Sequence, residues 1–475
     1  MKRRTNPKEL PTVSLLNQWQ DCMAPAGSLK ERIDRGKEFR KKRSRASHGN
    51  WKAPDSRPNP LDLLRTEGKA KYQPLLPLKY GRMAQSPFAF YRGAALLMAE
   101  DLSYVPRTDL FVQLCGDCHL SNFGLFATPE RNVIFDLNDF DETLPGPFEW
   151  DLKRLAASFA IAADNNGFKK SVAENCILSM SKMYRRKMEE FAFMTPLDVW
   201  YHRVDVEYLA RTIKQPGRKQ TAMMSLARLK EKRGHAGAVA KLTEVVDGNR
   251  RIKDVPPLIF HLKDLEVDNI RQTLQEYATT LWQSRQRLLH RYHFVDVAAK
   301  VVGVGSIGSV ALINLLQGEG DAEDFIILQT KEAAPSVLER YIGKSEFAHP
   351  GERIVNGQRV LQAASDLFLG WTTGHGAARR KFYFRQLMDM KQSIPIEELD
   401  AISLEQYAEV CAYVLARAHA RTGDPAMLHG YIGKSDEFDE ALAKFAFTYQ
   451  KQNEKDHGAL GRAIQKGEIK AQFLD

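Results

Sequence analysis

At 475 residues, with 43% apolar and 27% charged side chains, the chain has room for two to four units of about 100–200 residues each, and its composition excludes a disordered chain, a collagen and a coiled-coil rod. The net charge of +10 is uneven: residues 1–60 hold 15 Lys/Arg against 6 Asp/Glu, and the other 415 residues hold 54 against 53. No apolar run, the longest being around 156–163, approaches the ~20 residues of a membrane helix.

The first 60 residues are polar, basic and broken by Pro54, Pro58 and Pro60. They read as a basic N-terminal arm or wrapping segment: a solvated flank, or a surface for nucleic acid, an anionic membrane or an acidic partner. Five cysteines (Cys22, Cys115, Cys118, Cys176, Cys411) are too few for a disulfide scaffold. No apolar leader follows the opening MKRRTNPKEL, so the expected location is a reducing cytoplasm. Further on, the pattern predicts a helix over 88–102, a strand over 109–114 with a polar turn over 115–122, and a strand over 132–137 with an acidic turn over 138–143. Helical periodicity covers 149–190, 223–246 and 267–290. From about Asp296 the texture becomes β-branched and punctuated by glycine, with strands over 297–304, 309–316 and 324–331 and a turn over 317–323. A helix starting at Pro350 and ending near 369, a strand over 381–387 and helices over 404–421 and 437–456 complete the chain.

Two constellations carry chemistry. In CGDCHLSN, just after a strand, Asp117 and Asn122 have the D-x-x-x-x-N interval; Asp139 and Asp141 follow the next strand in NDFD. Phosphoryl transfer needs such a set, one carboxylate to accept the proton of the attacking hydroxyl and an amide plus a second carboxylate to hold Mg²⁺ on the phosphates. Taken singly, each of these residues is an ordinary turn cap. The second constellation is GVGSIGSV, in which Gly303, Gly305, Ser306 and Gly308 fit a glycine-rich phosphate loop joining two strands. Lys331 lies on the following strand, on one face with Phe325, Ile327 and Gln329. The same glycines also fit a dinucleotide fingerprint or a structural hairpin, although 309–316 is short for a crossover helix. Cys115-x-x-Cys118-His119 is also a literal haem-attachment string or half a zinc site; no export signal and no second C-x-x-C accompany it.

The stretches RMAQSPFAF, CGDCHLSNFG, FDLNDFDETLPGPFEWDLKRL and VVGVGSIG, with FYFRQLMDMK and LARAH, resemble an uncharacterised bacterial domain-of-unknown-function family over nearly everything after residue 30. More distantly, G-D-x-H-x-x-N, and Asp139 followed twelve residues later by Asp151, are similar to aminoglycoside phosphotransferase-like kinases. Cys115 stands where that group has a histidine, and the glycine loop follows the catalytic loop instead of preceding it. A circular permutation reconciles the order, reading 301 to the C-terminus and then about 80–300.

The resemblance implies an α+β, protein-kinase-like two-lobe fold, circularly permuted, with a small β-rich lobe and a larger helical lobe. Its expected parts are the arm at 1–60, a first part of the helical lobe at 61–296, a nucleotide-binding lobe at 297–390 and the rest of the helical lobe at 391–475. The implied cofactors are ATP and Mg²⁺, and the implied activity is transfer of a phosphoryl group to a hydroxyl of a small molecule. Asp117 would be the base, and Asn122 and Asp139 would be metal ligands, with Asp141 as an auxiliary acid in the metal set. The loop at Gly303–Gly308 would cover the phosphates and Lys331 would orient them. Weaker candidates are His119, Arg92 as an anion binder, and Glu339 or Glu352 as the glutamate pairing Lys331. A catalytically silent nucleotide-binding protein or scaffold and a nucleic-acid binder acting through the arm are the alternatives.

Overall fold

The computed structural model describes residues 10–15, 27–69, 71–212, 235–261, 267–301, 307–320, 323–375, 378–387 and 392–473. The fold is mixed α+β. Its largest sheet is antiparallel, with six strands in the order Gly370–Thr373, Lys381–Gln386, Phe325–Glu332, Ala311–Gly318, Tyr292–Lys300 and Ile259–Phe260. Alternation along Phe325–Glu332 sends Ile326 and Leu328 to one face and Phe325 and Ile327 to the other. The first face is covered by helices Val267–Thr279 and Gln283–Leu289, with Tyr277 stacked on Phe384 at 4.1 Å. The second is covered by Val239 and by the hairpin Thr243–Val246/Asn249–Ile252. Because both faces are buried there, the first half of the strand, 325–328, reads as a continuous apolar run.

Several predicted elements change here. The helix expected over 223–246 falls partly outside the described residues, and its described end is the helix His235–Leu242 followed by that hairpin. Asp247 and Gly248, with φ of 51° and 78°, form the left-handed pair that a two-residue hairpin turn demands. Since these elements and the 267–289 helices pack on the sheet, the boundary expected at 296/297 falls inside this layer. The helix expected over 88–102 breaks into Pro87–Arg92 and Ala95–Ser103 at Gly93, where a Cβ would meet Met83 Cγ at 2.7 Å. The helix starting at Pro350 ends at Leu361, and Gly370–Thr373 is a strand.

The rest of the molecule is helical. Helix Glu149–Asn165 buries every side chain from Glu149 to Ala163, its polar first turns included, and from Leu155 to Ala163 it is apolar save for Ser158. Its alanines (Ala156, Ala157, Ala160, Ala162, Ala163) let Lys170–Ala192 and the long Glu437–Gln465 helix approach closely, and Ala401–Ala420 packs on Lys170–Ala192. Among the described residues no helix is long and apolar enough to cross a membrane.

Residues 27–60 lie against this helical body, as a wrapping segment does, the second of the two readings open for that stretch. Helix Leu29–Lys42, opened by a Ser28/Glu31 capping box, crosses Pro425–Ile432 at two glycines. A Cβ on Gly36 would sit 2.1 Å from Met427 O, and one on Gly430 would sit 2.1 Å from Ile33 O. Arg40 and Arg45 donate to the carbonyls of Gly430, Tyr431 and Ile432 at that helix's C-terminal end, where the dipole favours cations. Arg57 clamps the buried carboxylates of Asp101 and Asp456, each at 2.6 Å. Much of the basic excess is therefore used inside the fold.

Candidate functional site

Two short pairings deliver the acidic turns. Strand Phe111–Leu114 pairs with Leu144–Pro147, and Phe123–Ala127 pairs with Val133–Leu137. The chain leaves the first pairing at Cys115 and turns at Gly116, whose φ is 87° and whose Cβ would lie 2.1 Å from Glu142 O, so only glycine fits. Asp151, in the first turn of helix Glu149–Asn165, accepts from the N–H groups of Cys115 (2.6 Å) and Gly116 (3.0 Å). His419 stands behind it, Nε2 3.3 Å from Asp151 Oδ2. Within the turn the Asn122 amide donates to Asp117 O at 2.7 Å, while Asn122 O accepts from Asn138 N–H at 3.0 Å. Cys115 Sγ donates to Asp139 O at 3.2 Å. The two acidic turns are thus fastened to each other through backbone.

Asp117, His119, Asn122, Asp139 and Asp141 line one cleft, and Arg92 lines it too. Lys331, 190 residues further along the chain than Asp141, enters from the sheet: Nζ donates to Asp141 Oδ2 at 2.6 Å and stands 4.0 Å from Asp139 Oδ1. Tyr383, opposite Lys331 in the sheet register, donates to Asp141 Oδ1 at 2.7 Å. Burial pushes the Asp141 carboxyl up, but the charge and hydrogen bond of Lys331 outweigh it and hold it well below the usual carboxylate range. Burial pulls Lys331 down, and Asp139 and Asp141 more than reverse this, so the ammonium stays charged. Asp117 is pushed up by burial against the opposing pull of Arg154, whose Nε donates to its Oδ1. The void at the floor of the cleft is about 100 Å³, below the roughly 300–1,000 Å³ of whole-ligand pockets, and the cleft is open above it.

The remaining candidates sort as follows. Gly303, Gly305 and Ser306 lie outside the described residues. Gly308 has a φ of 90°, and its carbonyl accepts from Tyr72 N–H at 2.6 Å at the cleft rim, where Lys71 Nζ donates to Ser309 Oγ at 2.8 Å. Glu339 does not meet Lys331: it completes a capping box with Ser336 and lies 3.8 Å from Arg353 Nε. Glu352 occupies the first turn of Pro350–Leu361, where an acid complements the helix dipole, and it too is not an ion-pair partner of Lys331. Both oxygens of Asp141 are engaged, which leaves Asp139 and the Asn122 amide oxygen as the donors for a cation. A hard oxygen pair suits Mg²⁺, which keeps waters and takes its other ligands from phosphate. Among the described residues no group of three His, Cys, Asp or Glu is gathered for a metal. Cys115 and Cys118 are buried and burial raises the Cys118 thiol, the opposite of what a metal-binding or haem-linked pair needs.

Sequence reasoning missed the groups that brace the site. Arg154 follows Asp151 by three residues on one helix face, a spacing that foretold a shared environment. Buried Arg353 donates to the carbonyls of Asp141, Thr143 and Ala334, holding the second acidic turn, and no local pattern announces it.

Glu142 was also missed. It lines the cleft and accepts from Val337 N–H at 2.7 Å. Burial pushes its carboxyl up to about 7, against Arg353 and that N–H, from an ordinary value of 4.5. The folded chain therefore binds this proton more tightly than the unfolded one. Its stabilisation is complete below pH 4.5 and lost as pH rises through about 7, an upper bound of about 3 kcal/mol. Glu142→Gln is expected to exceed wild-type stability at pH 8 but not at pH 4.5, read from urea unfolding at both. A difference independent of pH would refute the assignment.

A family model described as an uncharacterized protein conserved in bacteria (DUF2252) matches residues 71–463. No curated protein and no solved structure matches the chain.

Proposed function

The chain belongs to the DUF2252 family, and on the geometry of its cleft we propose that it is an ATP- and Mg²⁺-dependent phosphotransferase acting on a hydroxyl of a small molecule, with a circularly permuted, protein-kinase-like two-lobe fold. The observation that carries the reading is Lys331 Nζ, on the sheet, 4.0 Å from Asp139 Oδ1, on the helical side, in the cleft that Asp117 and Asn122 also line. One triphosphate spans such a set. The order acidic turns first, lysine strand later is the reverse of the kinase order, and permutation accounts for it.

In this reading Asp117 takes the proton of the acceptor hydroxyl. The upward push of burial brings its affinity for a proton closer to that task, against the opposing pull of Arg154. Asp139 and Asn122 would hold the metal, and the cofactor when bound supplies the transferable phosphoryl group and the charge neutralisation. Lys331, kept cationic, would orient the phosphates, and the glycine-rich stretch 303–308 would cover them. Asp141 holds Lys331 in place.

Heating the protein with and without ATP and Mg²⁺ tests this. At a hundredfold excess over Kd, binding raises stability by about 2.7 kcal/mol, a clear rise in melting temperature. Lys331→Met is expected to lose that rise. No rise in wild type removes the nucleotide from the proposal. A rise without hydrolysis or transfer assigns the second reading, a catalytically silent binder, which the Arg154–Asp117 and Lys331–Asp141 pairs favour.

A further inference from the structure

We propose that the acceptor carries an oxyanion, a phosphate or carboxylate group, bound by Arg92 on the wall of the cleft shared with Asp117; this rests on the phosphotransferase reading. Arg92 ends the Pro87–Arg92 helix, held there by the close approach of Gly93 to Met83, with its guanidinium 5.8 Å from the Phe88 ring centre. Its Nε is buried and has no hydrogen-bond partner among the described residues, and no ion pair satisfies the guanidinium there. Glu397 and Asp117 act on it only through space.

The carboxylates around the cleft contrast with it. Glu67 is paired with Lys79 at 2.7 Å, Asp141 with Lys331 and Glu332 with Arg380, each at 2.6 Å, and Asp117 with Arg154. These four are answered inside the chain, Asp139 faces Lys331 at 4.0 Å and Glu142 holds only the Val337 N–H, whereas no carboxylate among the described residues is paired with Arg92. Arginine stays protonated, and a half-buried guanidinium on a cleft wall, its Nε without a partner, suits a planar or tetrahedral oxyanion. A second unanswered group sits beside it: His119 is 4% exposed, its Nδ1 is buried without a partner, and its Nε2 is 3.8 Å from Asp117 Oδ2. Its unpartnered Nδ1 gives the cleft wall a second polar atom beside Arg92. An acceptor anchored by its oxyanion on Arg92 and His119 presents its remaining hydroxyls toward Asp117.

Calorimetric titration of the full chain with inorganic phosphate, with malonate and separately with ATP plus Mg²⁺ tests the inference. Wild type is expected to bind at least one of the two oxyanions, and whichever binds names the class. Arg92→Gln is expected to weaken that binding at least tenfold and Arg92→Lys less, with nucleotide binding retained in both; Lys331→Met is expected to show the reverse pattern. Arg92→Lys carries the comparison should Arg92→Gln melt well below wild type. Neither oxyanion binding wild type, or equal binding by wild type and Arg92→Gln, overturns the proposal. So does parallel loss of nucleotide binding in the Arg92 variants, which would give Arg92 to the nucleotide's own phosphates. If wild type binds an oxyanion through Arg92 but no nucleotide, the phosphotransferase reading fails while the anion site stands.

Discussion

If the proposed phosphotransferase activity is present, Asp139→Asn is expected to lower ATP turnover by about 100–1,000-fold while leaving the melting temperature within about two degrees of wild type. The separation follows from what Asp139 touches. Its side chain is 34% exposed, its Oδ1 accepts from Asp141 N–H at 3.3 Å, and Lys331 stands 4.0 Å away. Asparagine keeps an oxygen for that N–H, and the buried ammonium keeps Asp141 as its closer counter-ion. What disappears is the one carboxylate with room for a metal and half of the charge facing Lys331. A fold that barely notices the change and a reaction that nearly stops are together the mark of a group acting on the ligand. Hydrolysis assays beside calorimetric melts make the comparison, and turnover within threefold of wild type would remove Asp139 from the reacting centre.

The meeting of Lys331 with the acidic turns was an expectation of the kinase resemblance and its permuted order, and two local rules placed the parts. Strand alternation put Lys331 on the face of Phe325 and Ile327, and a strand before each turn put Asp117 and Asp139 just past the ends of two strands, which the fold places in separate sheets. Which carboxylate Lys331 would take was not legible. Asp141 wins over Glu339 and Glu352 because Tyr383 and Arg353, both distant in sequence, fix the turn that carries it. The raised proton affinity of Glu142 likewise arises from burial by segments nearly 200 residues away. Charge counting misled at residues 27–60 for a related reason. A net sum says nothing of direction, and Arg40, Arg45 and Arg57 point inward to carbonyls and buried acids. The Asp247-Gly248 hairpin, by contrast, carried a turn signature that helical periodicity overrode.

The largest stability loss is expected at Asp151, which lies in no reacting position. It is 1% exposed and its two oxygens satisfy the N–H groups of Cys115 and Gly116 as the chain turns into Asp117. Buried donors stripped of their acceptor cost about 1–3 kcal/mol each, and His419, wholly buried, loses its carboxylate at the same time. Asp151→Ala is therefore expected to destabilise by about 3–5 kcal/mol, seen as a lower denaturant midpoint at unchanged slope. Asp151→Asn, which keeps one good acceptor, should lose about half as much. Both should also lose turnover, since Gly116 has its φ of 87° only while its N–H is held, and Asp117 is the next residue. An alanine variant that unfolds at the wild-type midpoint would mean the turn is held by the Cys115–Asp139 and Asn122–Asn138 contacts alone.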